Sequence, residues 1–150
     1  MTYKFTSATE EHVEAVMRDI VPDVKAELEA LRPGDVGQAL KNLVERSEEA
    51  WAASSEEGVI CIFGVYRMGL LDDKVSPWLI TTNLVQKHKK DFLKGAKISI
   101  AHWLDKYEQL ENYIPAGFDR LLKWLAWAGF TIDPPSPYKG RLLHRISMGK

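Results

Sequence analysis

The chain has 150 residues, of which 45% are hydrophobic, 10% aromatic and 27% charged. That is the length of one domain, 1–150, with enough surface to bury a real core, and the composition excludes a disordered or fibrous chain. Twenty basic residues against 21 acidic ones leave a net charge of −1, which argues against whole-surface attraction to nucleic acid or to an anionic membrane.

Residues 3–5 alternate and predict a short edge strand. Ser7, Thr9 and Glu10, with Ser7 and Glu10 at capping-box spacing, predict the start of a helix that carries Val13, Val16, Met17 and Ile20. Pro22 opens a second helix with a narrow apolar stripe of Val24, Leu28 and Leu31. Arg32-Pro33-Gly34-Asp35 predicts a turn. A third helix is predicted over residues 36–53, with Ala39, Leu40, Leu43, Ala50 and Trp51 on one side, and a polar turn over 54–58. At Val59 the period changes. Residues 59–66 are continuously apolar and β-branched, which predicts a central strand buried on both faces.

Residues 69–74 form a hairpin-like connection to a second strand over 78–82. The longest helix follows over 86–108, where Phe92, Ala96, Ile100, Trp103, Tyr107 and Leu110 make one stripe. Then come a strand over 112–115, a helix over 119–128 stopped by Gly129, a strand over 130–132, a proline-rich loop over 133–138 and a last strand over 142–148. Strands interleaved with helices imply an α+β, three-layer α/β architecture around a mixed sheet.

The chain contains no Walker loop, HExxH, GxSxG or GxGxxG. His12, His88, His102 and His144 have no metal-ligand spacing. Cys61 lies inside the apolar strand and reads as a small core residue, and a single cysteine fits a reducing compartment. No apolar run approaches the ~20 residues of a membrane span, and Met1-Thr2-Tyr3-Lys4-Phe5 lacks the apolar core of a signal peptide. One basic cluster, Lys87-His88-Lys89-Lys90 with Lys94 and Lys97 after it, stands at the start of the long helix. Backbone N–H groups and the positive helix end favour anions there. Trp124 and Trp127 stand three apart on the 119–128 helix. They extend its apolar surface beyond Phe118, Leu121, Leu122 and Leu125, toward a cleft or a partner surface.

The order of elements and the ending Trp124-Leu125-Ala126-Trp127-Ala128-Gly129-Phe130 resemble the GNAT acetyltransferase superfamily. Further features are Arg18, Asp23 and Glu27, Phe63-Gly64, Pro77-Trp78-Leu79-Ile80-Thr81, Phe92-Leu93 and Tyr107-x-x-Leu110-x-Asn112-Tyr113. With these the chain is similar, over its whole length, to the GNAT-like proteins of tailed phages that include internal virion protein A. The resemblance implies a mixed, mostly antiparallel sheet with helices on both faces. Should acetyl-CoA bind, the basic cluster makes Lys87, Lys89 and Lys90 the expected phosphate contacts, with Asn112 as a further cofactor contact; the aromatic flank makes Trp124 and Trp127 the expected partner contacts, and the histidine spacing predicts no metal. The resemblance also implies residence in the host cytoplasm or the virion.

The departures bear on chemistry. Active members cradle the CoA pyrophosphate with glycine-spaced amides, whereas Gln86-Lys87-His88-Lys89-Lys90-Asp91 has no glycine before Gly95. Leu125 stands where many members have a tyrosine as general acid, and Gly117 or Phe118 where an asparagine is usual. The central strands carry no general-base carboxylate, and Asp72 and Asp73 lie in the connection between them. Three functions follow from this pattern. The first is a catalytically degenerate phage protein with a virion structural or assembly role and no cofactor, whose partners are other virion or phage proteins or a second copy of itself. The second is an acetyl-CoA-dependent N-acetyltransferase with a remodelled pyrophosphate site. The third is a host-interaction protein.

Overall fold

A computed structural model describes residues 3–31, 34–67, 69 and 73–149. The chain runs β1 (Lys4–Ser7), α1 (Glu10–Arg18), α2 (Pro22–Leu31), α3 (Val36–Arg46), β2 (Glu49–Ser55), β3 (Gly58–Arg67) and β4 (Lys74–Thr81). A short 3-10 turn (Asn83–Lys87) leads into α4 (Lys89–Lys106), followed by β5 (Gln109–Pro115), α5 (Asp119–Ala128), β6 (Thr131–Ile132), β7 (Ser136–Tyr138) and β8 (Arg141–Gly149). The eight strands form one sheet in the order β1-β2-β3-β4-β5-β8-β6, with β7 also paired to β8. Every pairing is antiparallel except β4–β5. A parallel pair needs a crossover, and α4 supplies it.

Both sheet faces are covered. Val13 and Val16 of α1 and Val36 and Leu40 of α3 pack on Ala52, Ile62 and Ile80. On the opposite face Ile100 and Trp103 of α4 and Leu125 of α5 pack on Val65, Val75, Leu110, Ile114 and Ile146. The α+β, three-layer architecture and the mixed, mostly antiparallel sheet agree with the sequence reading. Cys61 is 4% exposed. Burial pushes its thiol up to about 12, so it is a core residue and not a nucleophile.

Four local expectations are corrected. The third helix stops at Arg46 instead of Ala53. Ser47 turns extended (ψ 148°), and its Oγ donates to Leu43 O at 2.7 Å and accepts from Trp78 Nε1 at 2.9 Å. The segment Ala50-Trp51-Ala52-Ala53 has good helix formers, yet it lies in β2 between β1 and β3, and pairing on both edges overrides propensity. Ser7 ends β1, so the cap of α1 is Thr9. Thr9 Oγ1 accepts from His12 N, and His12 Nδ1 accepts from Thr9 N at 3.0 Å, an imidazole doing the work expected of Glu10. The long helix begins at Lys89, because 83–87 forms a 3-10 turn capped by Thr82. The proline-rich loop contains β7, an added edge on β8. The side chains of Asp23, Glu27 and Leu31, the Arg32-Pro33 half of the predicted turn, and Asp72 lie outside the described residues.

Candidate functional site

β4 pairs with β3 from Val75 to Thr81, but with β5 only at Lys74↔Gln109 and Val75↔Leu110. Beyond Val75 the two strands diverge. Asn112 Nδ2 reaches across the gap and donates to Pro77 O at 2.8 Å, while its Oδ1 accepts from Tyr113 N. Because N–H and C=O of one strand residue point to the same edge, Pro77 also turns its nitrogen toward the gap. A proline is tolerated there because no ladder bond is asked of it. Leu79, two residues on, has the same orientation. Its main-chain donor and acceptor face the gap beyond the β4–β5 pairing.

The divergence opens a cleft of about 1170 Å³. Its walls include Phe63, Ser76, Leu79, Phe92, Trp103, Asn112, Phe118 and Trp124, and it continues through the sheet to Val24 and Leu28 of α2 and Leu40 and Leu43 of α3. The cleft is thus a passage between the two faces, with apolar walls and polar groups at a few points.

At one end stands the amino terminus of α4, where His88 is the cap residue and no side chain caps the helix. Unfilled N–H groups at a helix start favour an anion. Of the lysines expected there, Lys89 lines the cleft. Lys87 is paired to Glu57 at 2.9 Å, which raises the lysine pKa and lowers the glutamate's. Lys90 is exposed and stands off the cleft wall. Lys94 and Arg120 add positive charge to the lining.

His88 is 4% exposed. Tyr3 Oη donates to Asp91 Oδ2 at 2.7 Å and lies 2.8 Å from His88 Nδ1. Its single proton goes to the carboxylate, so the His88 nitrogen must be the donor to Tyr3. The hydrogen bond to Asp91 raises the Tyr3 pKa. His88 Nε2 lies 3.6 Å from Glu57 Oε1. This ties β1's leading residue, the β2–β3 turn and the start of α4 together.

The two tryptophans have different surroundings. Trp124 is half-buried, lines the cleft and stacks on Phe92 with ring centroids 6.0 Å apart and an interplanar angle of 29°. Trp127 is 51% exposed with Lys97 Nζ 4.2 Å from its ring centroid. Leu125 is buried in the core, so the position where a tyrosine would serve as acid carries no proton donor. Asp73 accepts the Glu108 N–H at 3.2 Å through Oδ2 and does not turn into the cleft. Among the described residues no group of three or more His, Cys, Asp and Glu could hold a metal ion. No helix there is long and apolar enough to cross a membrane.

No local pattern marks Tyr3, Phe92 or Arg120 as site residues, and His88 is marked only as a member of the basic cluster. The Lys87–Lys90 run was the available signal for His88. Tyr3 and Arg120 reach the cleft through topology that no local pattern announces.

The chain matches no protein-family model and no curated protein. Solved structures match it closely in shape. A GCN5-related N-acetyltransferase from Kribbella flavida superposes with a TM-score of 0.72 at 14% identity, covering 99% of this chain and 98% of that one. Spermidine N-acetyltransferase from Vibrio cholerae, solved with CoA and spermine, gives 0.70 at 7% identity, covering 98% and 95%. The smu.2055 protein of Streptococcus mutans gives 0.67 at 11% identity, covering 97% and 98%. The chain therefore has the fold of the GNAT N-acetyltransferases. At these identities the likeness reaches that fold and goes no further, and it does not single out the phage proteins.

Proposed function

We propose that the chain is an acetyl-CoA-dependent N-acetyltransferase whose phosphate contacts rest on charge in place of glycine-spaced amides. The observation that carries this reading is the edge of β4 left open at Leu79, between the Asn112–Pro77 and Val21–Thr81 hydrogen bonds, facing a cleft that passes through the sheet. An open strand edge offers main-chain donors and acceptors to an extended, amide-bearing ligand. The uncapped start of α4 with Lys89, and Arg120 at the start of α5, fit an anionic end of the same ligand. When bound, the cofactor supplies an acyl group activated as a thioester.

The residues of this chain would hold that group beside an amine entering from the α2–α3 side of the cleft. With the cofactor bound, its thioester would supply the acyl group and its thiolate the leaving group, while the chain's part would be to hold the amine against the acyl carbon and leave the ammonium proton to water. Orientation alone accounts for much of such a rate, which suits a cleft where Leu125 replaces the acid.

The test is calorimetry with acetyl-CoA, followed by release of free thiol in the presence of small amines. The expected result is a dissociation constant in the micromolar range that weakens as salt is raised, because the phosphate contacts are between charges. Absence of binding at about 1 mM ligand, a few kcal/mol of affinity at best, would overturn the proposal.

A second reading keeps the fold and gives up the chemistry: a phage protein of the host cytoplasm or virion that docks on other virion proteins or on its own copy. The half-exposed Trp127 favours it, since aromatic anchors dominate protein interfaces.

A further inference from the structure

Among the described residues, two buried side-chain polar atoms have no hydrogen-bond partner, His88 Nε2 and Trp124 Nε1. Both residues line the same cleft. Native folds satisfy nearly all such atoms, so each one needs a reason. His88 Nε2 has the Glu57 carboxylate 3.6 Å away. Trp124 Nε1 has no such neighbour. An indole N–H is a donor only, so whatever completes it must bring an acceptor.

Resting on the acetyl-CoA reading above, we infer that Trp124 donates its indole N–H to a carbonyl oxygen of the bound acyl-CoA. The placement fits a neutral acceptor. Phe92, on which Trp124 stacks, lies about one helical turn, roughly 5 Å, inside α4 from Lys89. A ligand held by its anionic end at Lys89 runs past the Phe92–Trp124 pair with its uncharged part. The pair joins α4 to α5 at the cleft wall, which sets the indole beside a ligand that runs along the start of α4. The next residue, Leu125, is turned into the core. The cleft-facing donor on α5 is therefore an indole one residue earlier than the tyrosine that the resemblance would place there. Two groups of the ligand share this chemistry, the thioester carbonyl and the pantetheine amides.

The test compares wild type with Trp124→Phe, which keeps a ring for stacking and removes the N–H. Calorimetry is run with acetyl-CoA and with CoA, and melting is followed without ligand. Trp124→Phe should weaken acetyl-CoA binding about tenfold, the worth of one hydrogen bond. A loss confined to acetyl-CoA assigns the thioester carbonyl, and an equal loss with CoA assigns a pantetheine amide. Without ligand the variant should still melt in one cooperative step, lowered only by the packing that the smaller ring gives up. Equal affinities in a wild type that binds would overturn the inference and leave the acetyl-CoA reading standing. A wild type that binds neither ligand removes both.

Discussion

Along its β3 edge, β4 is paired without a break from Val75 to Thr81, while along its β5 edge pairing stops after Val75. The two edges belong to one strand and have opposite uses. On the paired side the packing is so close that Gly64 of β3 has no room for a side chain. A Cβ there would fall 2.1 Å from Glu49 O, 3.1 Å from Ala50 Cα and 3.0 Å from the Trp78 ring. On the open side two single hydrogen bonds stand beyond the last paired residue, Asn112 Nδ2 to Pro77 O and Val21 N to Thr81 O. The ladder carries cohesion, and the seam leaves main-chain groups and an apolar passage free for a ligand. The candidate site lies where the sheet is left unfinished.

The difference can be broken most directly from the ladder side. Gly64→Ala forces a methyl group against the backbone of β2 and the Trp78 ring, and backbone cannot swing away as a side-chain end can. We expect a loss of about 3 kcal/mol or more, read by urea unfolding. A loss under about 1 kcal/mol would show that β2 and the Trp78 ring of β4 yield around Gly64 at little cost, and the paired side would not be the tightly packed one. Asn112→Ala acts on the other edge and should cost less, about 1 kcal/mol, since the Pro77 oxygen it frees faces the cleft, where water can replace the bond. Amide exchange should quicken in residues 109–115 and stay unchanged in residues 58–67. Equal quickening in both would mean that the two edges are not independent.

The same contrast explains what could be read from the sequence. β3 was legible because it is buried on both faces and its residues say so without reference to neighbours. α5 was legible at both ends, since Gly129 takes the left-handed conformation (φ 111°) that its residue type announces, with Gly129 N bonded to Ala126 O. β2 was not legible. Its alanines and tryptophan carry a helix signal locally, and only the strands on either side decide against it. The site was half legible. The lysine run marked the start of α4, but position alone could not show that Lys87 is held by Glu57 while Lys89 reaches the cleft. Asn112 was named as a cofactor contact, and its side chain bridges the seam. The open edge of β4 left no mark in the sequence beyond Pro77, because an absent pairing partner has no residue pattern of its own.

The smallest effect is expected outside both edges, on the outer side of α5. Trp127 is half exposed, and the Lys97 ammonium over its ring is a cation–π contact worth about 0.5–1 kcal/mol at such a site. Trp127→Ala should therefore lower stability by no more than about 1 kcal/mol and leave acetyl-CoA binding unchanged, because Trp127 is not part of the cleft wall. Trp124, one turn earlier, packs against the core and has no such latitude. Sedimentation of wild type and Trp127→Ala then separates the two functional readings. If the half-exposed ring anchors another chain, wild type associates and the variant does not, at unchanged melting temperature. If wild type and variant sediment alike while both bind acetyl-CoA, the ring is a surface residue with a lysine over it, and the function of the molecule lies at the seam.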